Sequence, residues 1–295
     1  MKYIFIENSF NFTSSSLNLK AIDAVQKILI NFVTELNKKG HNVTVYNNIK
    51  KNVKENGIYW KKLSCLEKDN LDTDILIVCN EESFIDLKVR ASIKLYWLTS
   101  IIQEDQKNSI LIKLLKNKFI IIHSSYSLIS YLPKTYNYIP KIFFDIGVSD
   151  LFFQNNKYDV ASCKALVTAH PLRGLDWLIE IWVNIISLKL PWAEMHVYSQ
   201  TLAKNKFIKN TKINNLKLKI IKYKNNGIHV IKPLAEPEFL KNLINYKVHL
   251  NPSNNNSSLS VLESQAAGIP VVSRKNTEIQ NYIYHNETGF ISEDA

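Results

Sequence analysis

The chain has 295 residues, of which 46% are hydrophobic and 21% are charged, so it is long and apolar enough for two globular domains, each with its own core. No apolar run approaches the roughly 18 residues of a membrane-spanning helix, and the start of the chain turns polar too soon for a signal peptide. The net charge of +11 is almost wholly lysine, since three of the 37 basic residues are arginine. No cluster alternates arginine with aromatic residues, so nucleic-acid binding is not expected.

The three cysteines, Cys65, Cys79 and Cys163, are far apart and have no metal-ligand spacing. Thiols of this kind suit the reducing cytosol. We therefore expect a cytoplasmic protein, whose positive charge favours weak peripheral attraction to anionic membrane surfaces.

The first half of the chain alternates predicted strands and helices. A helix over residues 20–39 has one apolar face, and it is flanked by short strands at 3–6 and 42–46. Further strands are predicted at 75–78, 93–98 and 119–123, and a helix at 127–132. Residues 138–148 read as a last strand and the start of a linker, so the first domain is expected to span residues 1–150.

The segment Asp72-Thr73-Asp74 could suggest a metal-binding pair of carboxylates. It precedes its strand, however, whereas ligands of open α/β sheets gather beyond the carboxyl ends of strands. We therefore interpret Asp72 and Asp74 as part of a loop ahead of the strand.

The second half repeats the alternation and forms a domain over residues 151–295. The predicted strands share short apolar runs and lie at 164–168, 194–198, 228–231, 247–250, 269–272 and 288–291. The predicted helices follow them, from 175, within 205–226, at 236–246, from 259 to Gly268, and at 277–283. Strands that alternate with helices in this way indicate a parallel sheet.

Two strand–loop–helix segments of the second half carry candidate site residues. Arg173 lies just before a helix start, where free N–H groups and a bidentate cation together suit a phosphate. A wholly small and polar run, residues 253–258, precedes the other helix. Glu263 falls beside the buried stripe of that helix, which is costly for a carboxylate unless it is hydrogen-bonded or binds a ligand. The alternatives are that Glu263 reaches solvent and that Arg173 pairs with Asp176.

The residues from Ser260 to Val272 resemble the nucleotide-sugar signature of the GT4-like retaining glycosyltransferases, and the run Arg-Gly-Leu-Asp at 173–176 resembles the cation turn of that family. The resemblance implies the GT-B fold, an α/β architecture of two Rossmann-like domains facing across a cleft. It also implies that Glu263 binds the donor ribose. The donor diphosphate would be held by Arg173, Gly174 and the amides of Ser257, Ser258 and Leu259.

Some positions depart from the family pattern. Asn255 stands where relatives carry an acidic residue against the transferred sugar, and Thr99 and Ser100 replace a frequent His-Asp pair. The first loop, residues 8–16, has no glycine. His123 ends a strand, and the resemblance implies that this strand end faces the cleft. There His123 would either contact the donor or acceptor or have a structural role. The C-terminal helix that crosses back to the first domain is missing, which suggests a truncated chain.

The expected function is a metal-independent, cofactor-free glycosyltransferase that moves a sugar, with retention, from a nucleoside-diphosphate donor to a glycan or lipid-linked acceptor. Asn255 and His123 are its candidate catalytic residues. The alternative is a catalytically weakened nucleotide-sugar-binding protein, which the departures at Asn255, Thr99 and the first loop favour. A nucleic-acid-binding basic protein ranks third.

Overall fold

The structure is a computed structural model that describes residues 1–154, 163–204, 209–253, 259–275 and 278–292. The chain divides into two compact units, Met1–Gly147 and Val148–Ala295. The division lies close to the predicted boundary at residue 150. Within the described residues, no helix combines the length and the apolar character needed to cross a membrane.

The N-terminal unit is built on an eight-stranded sheet. Its strands are β1 (Lys2–Ile6), β2 (Asn42–Asn47), β3 (Val53–Glu55), β4 (Ile58–Lys62), β5 (Asp72–Cys79), β6 (Arg90–Leu98), β7 (Ile120–His123) and β8 (Lys141–Phe143). They lie in the order β3-β4-β2-β1-β5-β6-β7-β8, and all neighbours are parallel except β3 and β4. The order therefore reverses between β1 and β5, as in a Rossmann-like sheet.

The β3–β4 hairpin was not predicted from the sequence. Its turn is Asn56-Gly57, and both residues have positive φ angles, 49° and 81°. Asn-Gly is the preferred pair for this tight turn because both positions need a left-handed backbone. The hairpin therefore had a local signal that the apolar periodicity did not show.

The helices of this unit are α1 (Ser16–Leu19), α2 (Ala24–Lys38), α3 (Lys107–Lys116) and α4 (Tyr126–Ser130). The prediction that the long helix starts at residue 20 is wrong by four residues. Asp23 caps it, because its side chain accepts from the Val25 amide at 3.0 Å while the Gln26 side chain accepts from the Asp23 amide at 3.2 Å. The α3 helix was not predicted.

The prediction that Asp72 and Asp74 lie in a loop ahead of the strand is wrong. Asp72 already pairs with Arg90 in the β5–β6 ladder, and the Asp74 carboxylate accepts a hydrogen bond from the Lys2 amide at 2.7 Å. These residues thus form the amino end of a strand, where Asp74 fastens β1 to β5.

The C-terminal unit is built on a six-stranded, wholly parallel sheet. Its strands are β9 (Lys164–Val167), β10 (Glu194–Tyr198), β11 (Ile228–Ile231), β12 (Val248–Asn251), β13 (Val271–Arg274) and β14 (Gly289–Ser292). The order is β11-β10-β9-β12-β13-β14, so it reverses between β9 and β12. In such sheets the ligand crevice lies beyond the carboxyl ends of the two strands at the reversal.

The helices of the C-terminal unit cover both faces of its sheet. They are α5 (Leu175–Ile181), a π-helical continuation (Trp182–Ile186), α6 (Ser187–Lys189), α7 (Thr211–Lys222), α8 (Glu236–Leu243) and α9 (Leu259–Ala266). One apolar cluster joins α5 and α7 to the sheet, and another joins α8 and α9 to its opposite face. This two-sided packing explains the continuous apolar runs of the strands.

A polar network holds α9 against the sheet. The His249 side chain on β12 is fully buried, and its Nε2 lies 3.1 Å from Oγ1 of Thr168 while its Nδ1 lies 2.9 Å from Oγ of Ser264. The Thr168 hydroxyl donates in turn to Oγ of Ser260 at 2.9 Å. The end of β9, the middle of β12 and the first turns of α9 are therefore joined through one imidazole ring.

This network predicts a pH dependence of stability. Burial lowers the pKa of His249 from 6.5 to about 4, so between these values the unfolded chain binds a proton that the folded chain excludes. The stabilisation by the neutral ring is complete above pH 6.5 and is lost as the pH falls to about 4, by about 3 kcal/mol. The free energy of unfolding, measured with denaturant from pH 7 to 4, should therefore fall more steeply for wild type than for His249→Gln.

The matched control is His285→Gln, which removes an exposed imidazole from the same unit. It should keep the wild-type slope. Equal slopes for wild type and His249→Gln would contradict the assignment.

Candidate functional site

The loops after β9 and β12 touch at the point where the strand order reverses. Gly174 is the N-cap residue directly before α5, with a φ of +85°, and a Cβ atom at this residue would lie 2.2 Å from the carbonyl oxygen of Pro252. The backbone conformation and the space both require glycine here. The two loops therefore approach more closely than any side chain would allow.

The loop after β9 presents Arg173 to solvent. Its backbone is a tight turn in which the Arg173 amide donates to the His170 carbonyl at 2.8 Å. Partial burial of the ring and the Arg173 charge lower the pKa of His170, so the turn carries its positive charge on the arginine.

The pairing of Arg173 with Asp176 does not hold. The Asp176 carboxylate binds Nζ of Lys219, which also binds Glu180. Among the described residues, none has a carboxylate within ion-pair distance of the Arg173 guanidinium. Arg173 is therefore a cation available to an anionic ligand.

The first turn of α9 lies beside this loop. Ser260 is the second residue of the helix, and its hydroxyl accepts from Thr168, the residue that follows β9. Leu259 begins the helix and its side chain is buried. The structure thus brings the start of α9 and the Arg173 loop to the same edge of the sheet, as an anion site requires.

Glu263 is buried in α9, with 5% of its surface exposed. The alternative in which this carboxylate reaches solvent is therefore wrong. Glu263 already makes interactions within the protein. Its burial alone does not assign it to a ligand, and its predicted contact with ribose stays a prediction.

Three predicted site residues, Asn255, Ser257 and Ser258, lie outside the described residues. Their roles as the sugar contact and the phosphate-binding amides stay predictions.

His123 lies in the N-terminal unit, at the end of β7. Its ring is buried, Nδ1 is 3.0 Å from the Ser125 carbonyl oxygen, and the rings of Tyr126 and Phe143 pack against it edge to face. These contacts explain how the ring is held. They do not test its predicted catalytic role.

The glycine-free first loop is organised by an acid. The buried carboxylate of Glu7 accepts from the amides of Ser9 and Phe10 at 2.8 and 3.3 Å, and the Asn8 side chain donates to Glu81 at 3.2 Å. Burial raises the pKa of Glu7, and the hydrogen bonds from Ser9 and Phe10 oppose the shift. Glu7 was not recognised from the sequence, although a carboxylate directly after an apolar strand is a visible signal.

Thr99 and Ser100, at the position of the frequent His-Asp pair, directly follow β6. Ser100 accepts a hydrogen bond from the Asn80 side chain at 2.7 Å, which joins the loops that follow β5 and β6. Ser100 and Asn80 thus form a neutral contact between these two loops.

Arg274 is held at the end of β13. Its guanidinium lies 4.2 Å from the centre of the Trp177 ring, at the rim of a cavity of about 140 Å³ beside α5. A cation stacked in this way is oriented by the ring face. Neither this contact nor the network of Thr168, His249, Ser260 and Ser264 was predicted from the sequence. The one available signal for the network was a histidine between Val248 and Leu250 in an apolar strand.

The chain matches no family model, and no curated protein resembles it in sequence. Solved structures do resemble it. A sucrose-phosphate synthase from Thermosynechococcus elongatus superposes with a TM-score of 0.72 at 10% sequence identity, and the match covers 98% of this chain and 85% of the synthase. HepE of Anabaena, in complex with UDP-glucose, superposes with a TM-score of 0.69 at 13% identity over 99% of this chain and 85% of HepE. A glycosyltransferase from Rickettsia africae has a TM-score of 0.68 at 14% identity over 98% of this chain and 83% of its own length. At these identities the likeness concerns the fold, and this chain has the GT-B fold of those proteins.

Proposed function

We propose that this chain is a glycosyltransferase of the GT4-like type, which transfers a sugar with retention from a nucleoside-diphosphate donor to a glycan or lipid-linked acceptor. The observation that carries the proposal is the exposed Arg173 guanidinium, unpaired by any carboxylate of the described residues, at the strand reversal beside the start of α9. HepE, which has the same fold, is described in complex with UDP-glucose.

The leaving group of such a transfer is a nucleoside diphosphate. Its developing negative charge would be stabilised by Arg173 and by N–H groups at the start of α9, so the step needs no metal ion. Donors already aimed at the developing charge are worth about 2.7–4 kcal/mol of barrier each in comparable oxyanion sites. The absence of a side chain at Gly174 lets the two loops lie side by side, so that both donors would reach the same phosphates.

Glu263 supplies the nucleoside contact in this proposal, because a carboxylate can accept from both ribose hydroxyls. Asn255 would lie against the transferred sugar, and His123 would act from the N-terminal unit. We propose a cytoplasmic protein with weak attraction to membrane surfaces, in keeping with its lysine-rich composition.

The second candidate function is nucleotide-sugar binding without efficient transfer. The first loop of the N-terminal unit is held by Glu7 and has no glycine for close backbone approach. Thr99 and Ser100 stand where the family often carries His-Asp, and the Ser100 hydroxyl accepts from the neutral Asn80 side chain. These features would leave the N-terminal unit with fewer groups for the transfer step, whereas the Arg173 loop keeps the features needed for binding.

Arg173→Ala should weaken binding of a nucleoside diphosphate about tenfold to a hundredfold, because a charged hydrogen bond contributes about 1.5–3 kcal/mol. Binding of the bare nucleoside should not change. The measurement is calorimetry with uridine, guanosine and adenosine and with their diphosphates.

Arg90→Ala is the matched control, since it removes an exposed arginine at the amino end of β6. Equal losses for nucleoside and diphosphate would refute the phosphate assignment. If none of the diphosphates binds wild type, the proposed function fails as a whole.

Glu263→Gln should reduce the discrimination between ribose and dideoxyribose. Wild type is expected to bind the ribonucleoside diphosphate about tenfold to a hundredfold more tightly than its 2′,3′-dideoxy form, and the ratio should be smaller for the variant, whose neutral amide oxygen is a weaker acceptor. Competition binding measures the ratio, and the exposed Glu238→Gln serves as the control. A folded variant that keeps the wild-type ratio would show that Glu263 is purely structural.

Asn255→Glu should separate binding from turnover. The substitution would place an acid where the family pattern has one against the donor sugar. Nucleotide affinity should hardly change, while donor hydrolysis or transfer should rise if the rest of the site is intact. Turnover that stays low in the variant would support nucleotide-sugar binding without efficient transfer. If wild type already turns over fast and the substitution slows it, Asn255 is an adapted catalytic residue.

A further inference from the structure

Two histidines and a glutamate meet on one face of the C-terminal sheet. Glu194 and His196 are alternate residues of β10, so their side chains point to the same face, and the parallel register places His229 of β11 beside His196. One ligand atom from each of the three side chains lies within 4.8 Å of the others. Such a separation needs only small side-chain movements to close around a single ion.

The His196 ring is already oriented for a metal ion. Its Nδ1 lies 3.0 Å from the hydroxyl of Tyr246, which lies 2.9 Å from the hydroxyl of Tyr198. Its Nε2 faces the Glu194 carboxylate at 2.8 Å. A metal-bound histidine usually donates its other N–H to a neighbouring oxygen, which fixes the ring, and Tyr246 provides that oxygen.

We propose that Glu194, His196 and His229 form a binding site for Zn²⁺ or a similar divalent transition metal. Two imidazole nitrogens and one carboxylate are a ligand set that holds zinc in a tetrahedral site with one open position. His229 is exposed, so that position would open to solvent.

The site lies away from the candidate phosphate site. Glu194 is the first residue of β10 and His229 the second of β11, so the cluster is at the amino ends of these strands. Arg173 follows the carboxyl end of β9. The metal would therefore stabilise the C-terminal unit without taking part in sugar transfer, and this inference does not depend on the proposed function.

One neighbouring cation competes with a metal ion. Nζ of Lys164 lies 3.5 Å from the Glu194 carboxylate, in the strand on the other side of β10. A bound metal would replace this contact and the His196–Glu194 hydrogen bond. Removing the lysine charge with Lys164→Met should therefore tighten metal binding.

The test is calorimetric titration of the full chain with ZnCl₂ in a non-chelating buffer. Wild type should bind one ion per chain, and zinc should raise its melting temperature because the three ligands meet only in the folded chain, which therefore binds it more tightly than the unfolded chain does. His229→Ala should weaken binding by at least about a hundredfold, and Tyr246→Phe by at least about tenfold, as for an outer-shell partner. Lys164→Met should bind more tightly than wild type.

Two control variants identify other zinc sites. His41→Ala removes an imidazole from the N-terminal unit, and Cys163→Ser removes the thiol next to Lys164; both should bind zinc as wild type does. His229 is exposed, so its replacement should not unfold the chain, which circular dichroism verifies. No binding by wild type, unchanged affinity of His229→Ala, or loss of binding in either control would overturn the proposal.

Discussion

The contact between Gly174 and the carbonyl of Pro252 is the constraint on which the candidate site depends. It joins the loops after β9 and β12 at the reversal of strand order, where a side chain at Gly174 would lie within 2.2 Å of a backbone oxygen. The contact places the Arg173 turn beside the end of β12, from which the chain leads to α9. A phosphate-binding site needs a cation and free N–H groups at one place, and glycine at position 174 permits that close approach of their segments.

Buried polar groups fix α9, the helix beside the candidate site. His249 has no access to water, and both of its ring nitrogens lie within hydrogen-bond distance of hydroxyls, on Thr168 and Ser264. In a low dielectric a satisfied network of this kind has a strong geometric preference, because each broken bond leaves a desolvated group. An apolar residue at position 249 would fill the space without specifying the position of α9 relative to β9.

The two units differ in how closely their loops match the site features predicted from the sequence. In the C-terminal unit, Arg173 is free of carboxylate partners among the described residues and Gly174 has the required backbone. In the N-terminal unit, the loops at the strand ends make their own hydrogen bonds. The Ser9 and Phe10 amides donate to Glu7, and the Asn80 side chain donates to Ser100. This contrast is the physical basis of the choice between transfer and binding without transfer.

The sequence by itself determined the alternation of strands and helices, because apolar periodicity and helix caps are local properties. Strands β10 and β11 were predicted at their observed limits, and the segments of Arg173 and Glu263 were identified from residue type and position. The β3–β4 hairpin and α3 were missed, the first because its signal lies in the Asn56-Gly57 turn rather than in periodicity. Only the tertiary structure decided which strands are neighbours. That order placed Gly174 against Pro252, gave Asp176 to Lys219 instead of Arg173, and set His229 beside His196, because contacts between residues far apart in the chain depend on packing that no local pattern specifies.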